Sequence, residues 1–191
     1  MSGGCPILTP LNGPVPADLM LIGEAPGRLG AARTGVPFCG DQSARNLVRL
    51  LEIAGWTRDE VFLTNAVLCH PRTETGTNRR PGRSEIRRCS RWLDEQIAVV
   101  DPIVIGALGV VALEALGLIE PHDVELRRDA GKKIPWNDRL LMPLYHPSSR
   151  AQIHRPLAAQ EADFRSLRRT WEAAARRGRA AWDEDAASGQ A

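Results

Sequence analysis

Residues 19–27 read Leu-Met-Leu-Ile-Gly-Glu-Ala-Pro-Gly, and the fold class follows from this stretch. Four consecutive large apolar residues are typical of a strand that is buried on both faces, as the strands of parallel sheets are. Gly23 stops the run, and the proline and second glycine after it predict a tight turn. The turn leaves Glu24 and neighbouring backbone N–H groups at the carboxyl end of the strand.

More apolar runs follow along the chain, and segments with helical periodicity separate them. Strands are predicted at 61–67, 102–109 with its turn, and 140–145, and helices at 43–54, 84–100, 110–116 and 161–177. Strands that alternate with helices form a parallel sheet covered on both faces. We therefore expect an α/β fold, namely a single three-layer α/β/α domain with a central, mostly parallel four-stranded sheet.

Two segments depart from this regular pattern. Residues 120–138 are predicted to be irregular with short strands, and Pro143 to mark an irregular end or an edge in the last strand. Residues 179–191 are polar and acidic, which predicts a disordered tail. The domain itself is therefore expected to span residues 1–178.

The composition excludes several classes of protein. A length of 191 residues suits one globular domain, and 43% hydrophobic residues supply a core, which excludes a wholly disordered chain. No apolar run approaches the roughly 20 residues of a membrane span, and residues 1–6 lack the pattern of a secretory signal. We expect a cytoplasmic protein without a membrane partner, whose four cysteines are thiols or metal ligands rather than disulfides.

The distribution of charge is more informative than the net charge of +2. Residues 70–93 contain seven arginines and two acids, whereas residues 94–124 contain six acids and no lysine or arginine. Such a division can present a basic surface to a polyanion while the chain stays near neutral. Two solvated charged faces without a partner explain the same pattern equally well.

Polar clusters follow three of the predicted strands, at the edge where ligands bind in such sheets. They are the turn at 23–27, residues 65–70 and residues 145–149. Asn65 is an amide inside an apolar strand, and His146 is held by the proline after it and followed by two serines. Taken singly, each has an ordinary structural explanation: a solvated turn, an amide bonded locally, a histidine in the core. Neither a dinucleotide fingerprint nor a P-loop is present in the sequence.

Together the clusters carry a family resemblance. Gly-Glu-Ala-Pro-Gly at 23–27, Pro-Phe-Cys-Gly at 37–40, Thr-Asn-Ala-Val at 64–67 and His-Pro-Ser at 146–148 resemble the uracil-DNA glycosylase superfamily, over about residues 17–167. The loop at 33–43 is most similar to family 5, whereas Glu24 and the spacing from Cys69 to Cys89 are similar to family 4.

The resemblance implies a DNA repair enzyme that flips uracil out of DNA and hydrolyses its N-glycosidic bond, leaving an abasic site. Phe38 would stack on the flipped base, Asn65 would recognise O4 and N3–H, and His146 would donate to O2. Glu24 would orient or deprotonate the water or stabilise the sugar cation. Asp41 is the acid to which family 5 assigns catalysis, so the choice of general base stays open. Asp41 stands just before the predicted helix at 43–54 and could equally be its N-cap.

Further residues are assigned to substrate and DNA by the same resemblance. Gly23 and Gly27 would border the base, and Gly27 stands where uracil-only enzymes carry an aromatic ring, which implies space for a broader range of bases. Ser148, Ser149 and Arg150 would contact DNA. Arg150 stands where the superfamily often inserts an apolar wedge into the vacated stack. An arginine can still fill the gap by stacking and contacting phosphate, but a weaker grip on duplex DNA is the alternative.

Families 4 and 5 hold a [4Fe–4S] cluster on four cysteines. Cys69 and Cys89 match two of these ligands and Cys5 matches a third, but Ser2 stands in the fourth position. Cys39 belongs to the base-stacking loop and is a poor substitute. Two alternatives stay open: a cluster with an unusual fourth ligand, or no cluster.

The sequence leaves three functions to compare. The leading one is a monofunctional glycosylase that works as a monomer on uracil-containing DNA, since Lys132 and Lys133 are the only lysines and neither is placed at the site. The alternative is a uracil-DNA binding or covalent crosslinking protein with little turnover, which would use a histidine in the arginine-rich loop; His70 is the only histidine there. A nucleotide-binding domain without a DNA role would not need the His146 motif.

Overall fold

A five-stranded sheet with the order β2-β1-β3-β5-β4 forms the centre of the molecule. The computed structural model describes residues 6–188, with side chains as far as Arg176. The strands are β1 (Leu19–Gly23), β2 (Phe62–Asn65), β3 (Val104–Leu108), β4 (Ile134–Trp136) and β5 (Arg139–Leu144). The helices are α1 (Ala31–Thr34), α2 (Gln42–Ile53), α3 (Arg83–Val100), α4 (Val110–Gly117), α5 (Leu126–Asp129) and α6 (Leu157–Ser188).

Alternate residues of each strand face opposite layers of helices, because successive side chains of a strand point to opposite faces. Met20 and Ile22 pack with residues of α3 and α4, whereas Leu19 and Leu21 pack with residues of α2 and α6. The predicted α/β class and three-layer architecture are therefore confirmed.

The predicted number of four strands is wrong by one. Strands β2, β1, β3 and β5 are parallel, and β4 adds an antiparallel strand within the segment predicted to be irregular. Asn137 and Asp138 join β4 to β5 with φ of 47° and 58°. Two left-handed residues in a two-residue loop are typical of a tight hairpin, and Asn and Asp tolerate that conformation best after glycine.

Pro143 lies near the carboxyl end of β5, beyond the residues that pair with β4. Its carbonyl accepts from the Gly131 N–H, so its nitrogen also faces away from β3. Because the N–H that proline lacks would point away from β3, its absence removes no hydrogen bond between β5 and β3. This agrees with the predicted edge-like position of Pro143.

The segment before β1 covers the outer edge of β2. Asn12 is fully buried; its Nδ2 donates to the Leu63 carbonyl at 2.8 Å, and its Oδ1 accepts from the Thr9 N–H. The Arg58 guanidinium donates to the carbonyls of Leu11 and Asn12. These contacts satisfy part of an edge strand that would otherwise present unpaired backbone groups.

Helix α6 begins earlier than the predicted helix at 161–177, and its backbone is helical as far as Ser188. It therefore enters the segment 179–191 for which the sequence predicts disorder, and the domain boundary at 178 stays a prediction. Within residues 6–188, no helix is both long enough and apolar enough to cross a membrane.

We expect Asn12→Ala to lower the free energy of unfolding by about 1–3 kcal/mol, because it leaves the buried Leu63 carbonyl and Thr9 N–H without their partner. Denaturant unfolding measures this. Leu11→Ala in the same segment removes a side chain that is 63% exposed and should change stability by less than about 0.5 kcal/mol. Equal effects of the two changes would contradict the role given to Asn12.

Candidate active site

The carboxyl ends of β1, β2 and β5 open onto a cavity of about 380 Å³. Eight residues that the sequence singled out line this cavity, and they come from four separate parts of the chain: Glu24, Gly27, Phe38, Asp41, Asn65, His146, Ser148 and Arg150. Ser149 is exposed and is not among the lining residues. The parallel sheet explains the convergence, since it brings the ends of distant strands to one edge.

Gly23 is the last residue of β1, directly before the cavity residue Glu24, and has no room for a side chain. Its partner in the register between β1 and β2 is Asn65. A Cβ atom on Gly23 would lie 2.6 Å from Asn65 Oδ1 and 2.7 Å from Phe38 Cζ, closer than side chains pack. The missing side chain therefore lets the Phe38 ring and the Asn65 amide meet over the end of β1.

The Phe38 ring forms one wall of the cavity. Its centroid lies 5.8 Å from that of the His146 ring, with 32° between the two planes. Phe38 has a φ of 50°, a conformation that costs free energy for an aromatic residue and is found where the surroundings enforce it. The ring is therefore placed by the fold and not by the local preference of the loop.

Glu24 follows β1 directly, and the backbone around it is fixed by two bonds across to the end of β2. The Ala66 N–H donates to the Gly23 carbonyl and the Val67 N–H to the Glu24 carbonyl. Burial raises the pKa of the Glu24 carboxyl above its usual value, while the positive charges of Arg80 and Arg150 lower it in part. Glu24 is thus a partly desolvated carboxylate with two guanidinium groups nearby.

His146 is a neutral imidazole at neutral pH. Burial lowers its pKa to about 4, and the charge of Asp41 opposes that shift without cancelling it. A neutral imidazole offers one N–H donor and one acceptor. The site therefore contains a hydrogen-bond donor that carries no positive charge.

Asp41 has a structural task in addition to its place in the cavity. It is the N-cap of α2, and its Oδ1 accepts from the Ala44 N–H at 2.8 Å. The other oxygen, Oδ2, lies so close to Gly30 that a Cβ there would collide with it. Both interpretations offered by the sequence, a helix cap and an acid at the site, therefore apply to one side chain.

Gly27 borders open space. A Cβ at this position would lie 3.6 Å from Asn78 Nδ2 and 3.6 Å from Asp41 Oδ2, which is ordinary contact. A larger side chain would extend into the cavity, so the absence of one keeps this side of the site open.

Three residues at or near the site were missed by the sequence analysis. Asn78 lines the cavity, and its Oδ1 accepts from the Arg28 N–H at 2.9 Å and bonds His70 Nε2 at 2.8 Å. Asn46 bonds the loop that carries His146, and Ile153 projects from the same loop. Asn78 lies in a loop without periodicity, and nothing in the local sequence identifies these partners.

The arginine-rich segment is partly neutralised by acids of the fold. Both Nη atoms of Arg79 bond the Glu85 carboxylate, and Arg80 Nη2 lies 3.1 Å from Glu114 Oε2. Arg80 remains 61% exposed, so it stays accessible beside Glu24.

Ile153, and not Arg150, is the exposed apolar residue of the loop after His146. Arg150 lines the cavity on the side of Glu24. Ile153 lies on the short 3-10 helix Ala151–Ile153 with 80% of its surface exposed, the highest value among the large hydrophobic side chains described as exposed.

The described cysteines do not assemble a metal site. Cys5 lies outside the described residues, and within the described part of the chain no group of three or more His, Cys, Asp or Glu side chains could hold a metal ion. Cys89 packs against the apolar layer of α3 and α4, whereas Phe38, the neighbour of Cys39, packs against the layer of α2 and α6. The chain has four cysteines, so a four-thiolate site would need Cys39 as well, and Cys39 follows Phe38 in the wall of the cavity.

The fold and the cavity define an α/β protein with a small, partly desolvated ligand site at the carboxyl edge of its sheet. Residues 10–174 match the profile of the Uracil DNA glycosylase superfamily, and the chain belongs to this superfamily.

Individual relatives include both types that the sequence resembles. The chain is 35% identical over 167 residues to the Type-4 uracil-DNA glycosylase of Saccharolobus solfataricus, covering 83% of this chain and 74% of the relative. It is 32% identical over 159 residues to the Type-4 enzyme of Sulfurisphaera tokodaii, covering 80% and 69%. It is 36% identical over 117 residues to the Type-5 uracil-DNA glycosylase of Pyrobaculum aerophilum, covering 54% and 50%. The predicted similarity to families 4 and 5 is confirmed.

The lowered pKa of His146 should appear in the stability of the protein. Because the unfolded histidine binds a proton below about pH 6.5 and the folded one only near pH 4, the free energy of unfolding should fall as the pH drops through this range. Over this range, the His146→Ala protein should lose about 1–2 kcal/mol less than wild type, given about 1.4 kcal/mol per pKa unit and partial solvent screening. Denaturant unfolding from pH 7 to pH 4 measures it, and parallel curves for both proteins would contradict the assignment.

Proposed function

We propose that the chain is a monofunctional uracil-DNA glycosylase that flips uracil out of DNA and hydrolyses its N-glycosidic bond, leaving an abasic site. The observation that carries this proposal is the convergence of Phe38, Asn65, His146 and Glu24 on one cavity in a chain of this superfamily. A cavity of about 380 Å³ is large enough for a single planar base.

Recognition of uracil requires a flat surface and one polar edge. The Phe38 ring supplies the surface on which the flipped base stacks. The Asn65 amide, 4% exposed, offers a donor for O4 and an acceptor for N3–H side by side. Cytosine presents the opposite pattern on this edge, and a buried amide facing it would lose its hydrogen bonds, at a cost of about 1–3 kcal/mol.

The chemistry separates the base from the sugar. The C1′–N1 bond breaks and its electron pair stays on uracil, where charge gathers at O2. The neutral imidazole of His146 donates its N–H to that oxygen, an interaction worth about 3–4 kcal/mol by analogy with a single oxyanion-hole donor. Water then adds to C1′ and loses a proton, and uracil takes one up.

Glu24 is the better candidate for the acid that acts on the water. It is held by the backbone at the end of β1, and neither of its oxygens is occupied by a helix cap. Asp41 uses Oδ1 to cap α2. The guanidinium groups of Arg80 and Arg150 favour the charged form of Glu24, which a developing sugar cation also needs.

A covalent mechanism has little support from the site. Lys132 bonds Asp129 in the segment after α5 and does not line the cavity, nor does Lys133. His70 bonds Asn78 Oδ1 and borders a different depression, together with Arg72. These placements favour hydrolysis over a Schiff base or a histidine crosslink.

The proposal also covers the oligomeric state, the location and the cofactor of the enzyme. All residues invoked come from one chain, so we infer a monomer that acts on uracil-containing DNA in the cytoplasm. We also infer that any iron–sulfur cluster held by Cys5, Cys69 and Cys89 would have a fourth ligand other than cysteine, because Ser2 stands in the fourth position. The visible absorbance and iron content of fresh protein test this part separately.

Release of free uracil from an oligonucleotide with a single uracil tests the proposed function. We expect the wild-type protein to release the base and His146→Ala to be at least a hundredfold slower with its fold intact, because the donor to O2 is lost. Binding without release would favour the uracil-DNA binding protein, and a complex stable to denaturant would favour the crosslinking protein.

The two acids can be separated by single-turnover kinetics. We expect Glu24→Gln to slow excision more than Asp41→Asn, and to remove the loss of rate that wild type shows as the pH falls through the raised pKa of Glu24. Circular dichroism controls for the helix cap lost in Asp41→Asn. A larger defect in Asp41→Asn with an intact fold would assign the water to Asp41.

Ile153 is expected to fill the gap that a flipped base leaves in duplex DNA, since exposed apolar side chains serve as such wedges. Ile153→Ala should slow excision from duplex DNA about tenfold and leave single-stranded DNA within twofold. Val99→Ala is the matched control, because Val99 is 66% exposed but lies in the last turn of α3. This end of α3 bonds Ala17, before β1, and so lies at the edge of the sheet opposite the cavity. An equal loss on both forms of DNA would contradict the wedge.

A further inference from the structure

One hydrogen bond joins the loop that carries His146 to helix α2. Asn46 Nδ2 donates to the Pro147 carbonyl at 2.7 Å, across 101 positions of the sequence. Asn46 lies outside the cavity, so it does not touch a bound base directly. Its partner, however, is the residue immediately after His146.

The orientation of the Asn46 amide is determined by its neighbours. The Pro147 carbonyl can only accept, so Asn46 must present its NH₂ group to it. On the other side, Gln42 Nε2 donates to Asn46 Oδ1 at 2.9 Å, and Arg45 donates to Gln42 Oε1 at 2.8 Å. A charged donor therefore begins a chain of three bonds, each pointing toward Pro147, and such chains polarise one another.

The bond matters because of where Pro147 stands. Proline has no N–H, and its ring fixes φ, so the Pro147 carbonyl is the remaining polar backbone group through which this residue can be held. The other strong attachment of the loop is the ion pair of Arg155 with Asp163, eight or more residues further along. Among the side-chain hydrogen bonds and ion pairs that hold this loop within the described residues, the bond of Asn46 is thus the one nearest in sequence to His146. Misplacement of a catalytic group by about 1 Å can cost a hundredfold in rate.

We propose that Asn46 is a positioning residue that holds the His146 N–H toward O2 of the leaving base. This inference rests on the proposed function. Asp41 on the same helix faces His146, so the first turns of α2 place both the imidazole and its charged neighbour. Asn46 acts through His146 and makes no contact with the substrate.

A positioning role can be distinguished from a merely structural one by the leaving group. 5-Fluorouracil is a better leaving group than uracil, because fluorine withdraws charge from the ring, and its departure depends less on the donor to O2. We expect Asn46→Ala to slow uracil excision at least tenfold in single turnover, and 5-fluorouracil excision by a clearly smaller factor. His146→Ala should show the same pattern, and Glu52→Ala on the exposed face of α2 should leave both rates within twofold.

A double-mutant comparison provides the second readout. In the His146→Ala background, Asn46→Ala should slow uracil excision by less than twofold, since the imidazole it positions is absent. Asn46→Asp keeps the size of the side chain and the acceptor for Gln42 but loses the donor to Pro147, so it should share the defect even where Asn46→Ala unfolds. Equal losses for the two bases, full additivity with His146→Ala, or a normal rate for Asn46→Asp would each overturn the proposal. Absence of uracil release from wild type would instead overturn the proposed function.

Discussion

The close approach at Gly23 is the constraint on which the rest of the site depends. The register of two parallel strands places Gly23 beside Asn65, and the Ala66 N–H bonds the Gly23 carbonyl at 2.8 Å. Since no Cβ fits between the Asn65 amide and the Phe38 ring, both can lean over the end of β1. A hydrogen-bonding edge and a stacking surface thereby come to lie against each other, although 26 residues separate them in the chain. The strained φ of Phe38 is the local cost of this arrangement.

Burial shifts the pKa values of the two titratable groups of the site in opposite directions. It raises the pKa of Glu24 and lowers that of His146, because desolvation disfavours the charged form of each. Arg80, Arg150 and Asp41 limit these shifts by supplying opposite charge. The result at neutral pH is a carboxylate beside an uncharged donor. In the proposed enzyme, charge that develops on a leaving base would then meet a donor which keeps its proton, while the sugar side of the bond would face the negative group.

The fold could be predicted from the sequence where structure is set by local patterns. The buried strand at 19–23 and helix α2 follow from apolar periodicity, and the capping role of Asp41 from its place before the helix. Strand β4 lies in the segment predicted to contain short strands, but its position and its place in the sheet could not be predicted, because it has three residues, includes a proline and is stabilised by its pairing with β5. The sequence analysis did not identify Asn46 and Ile153 for a related reason. The role of Asn46 depends on a carbonyl 101 residues away, and that of Ile153 on the exposure of a loop.

The sequence allowed the site residues to be grouped, but it could not show which acid is free to act on water. That depends on which carboxylate oxygens of the two acids already accept hydrogen bonds. The effect of Gly27 likewise depends on its surroundings in the folded protein. In its proposed role, Asn65 distinguishes bases by the edge that carries O4 and N3–H, and thymine has the same edge as uracil. Only the space around the 5-methyl group can separate the two, and a methyl group in a pocket is worth about 1–3 kcal/mol. Because a Cβ at position 27 would meet nothing closer than 3.6 Å, this chain places no side chain in that space. Any discrimination against 5-substituted bases in the proposed enzyme would therefore come from Asn78 and Asp41, the neighbours of Gly27, from other residues of the cavity, or from the lower cost of flipping a mismatched base.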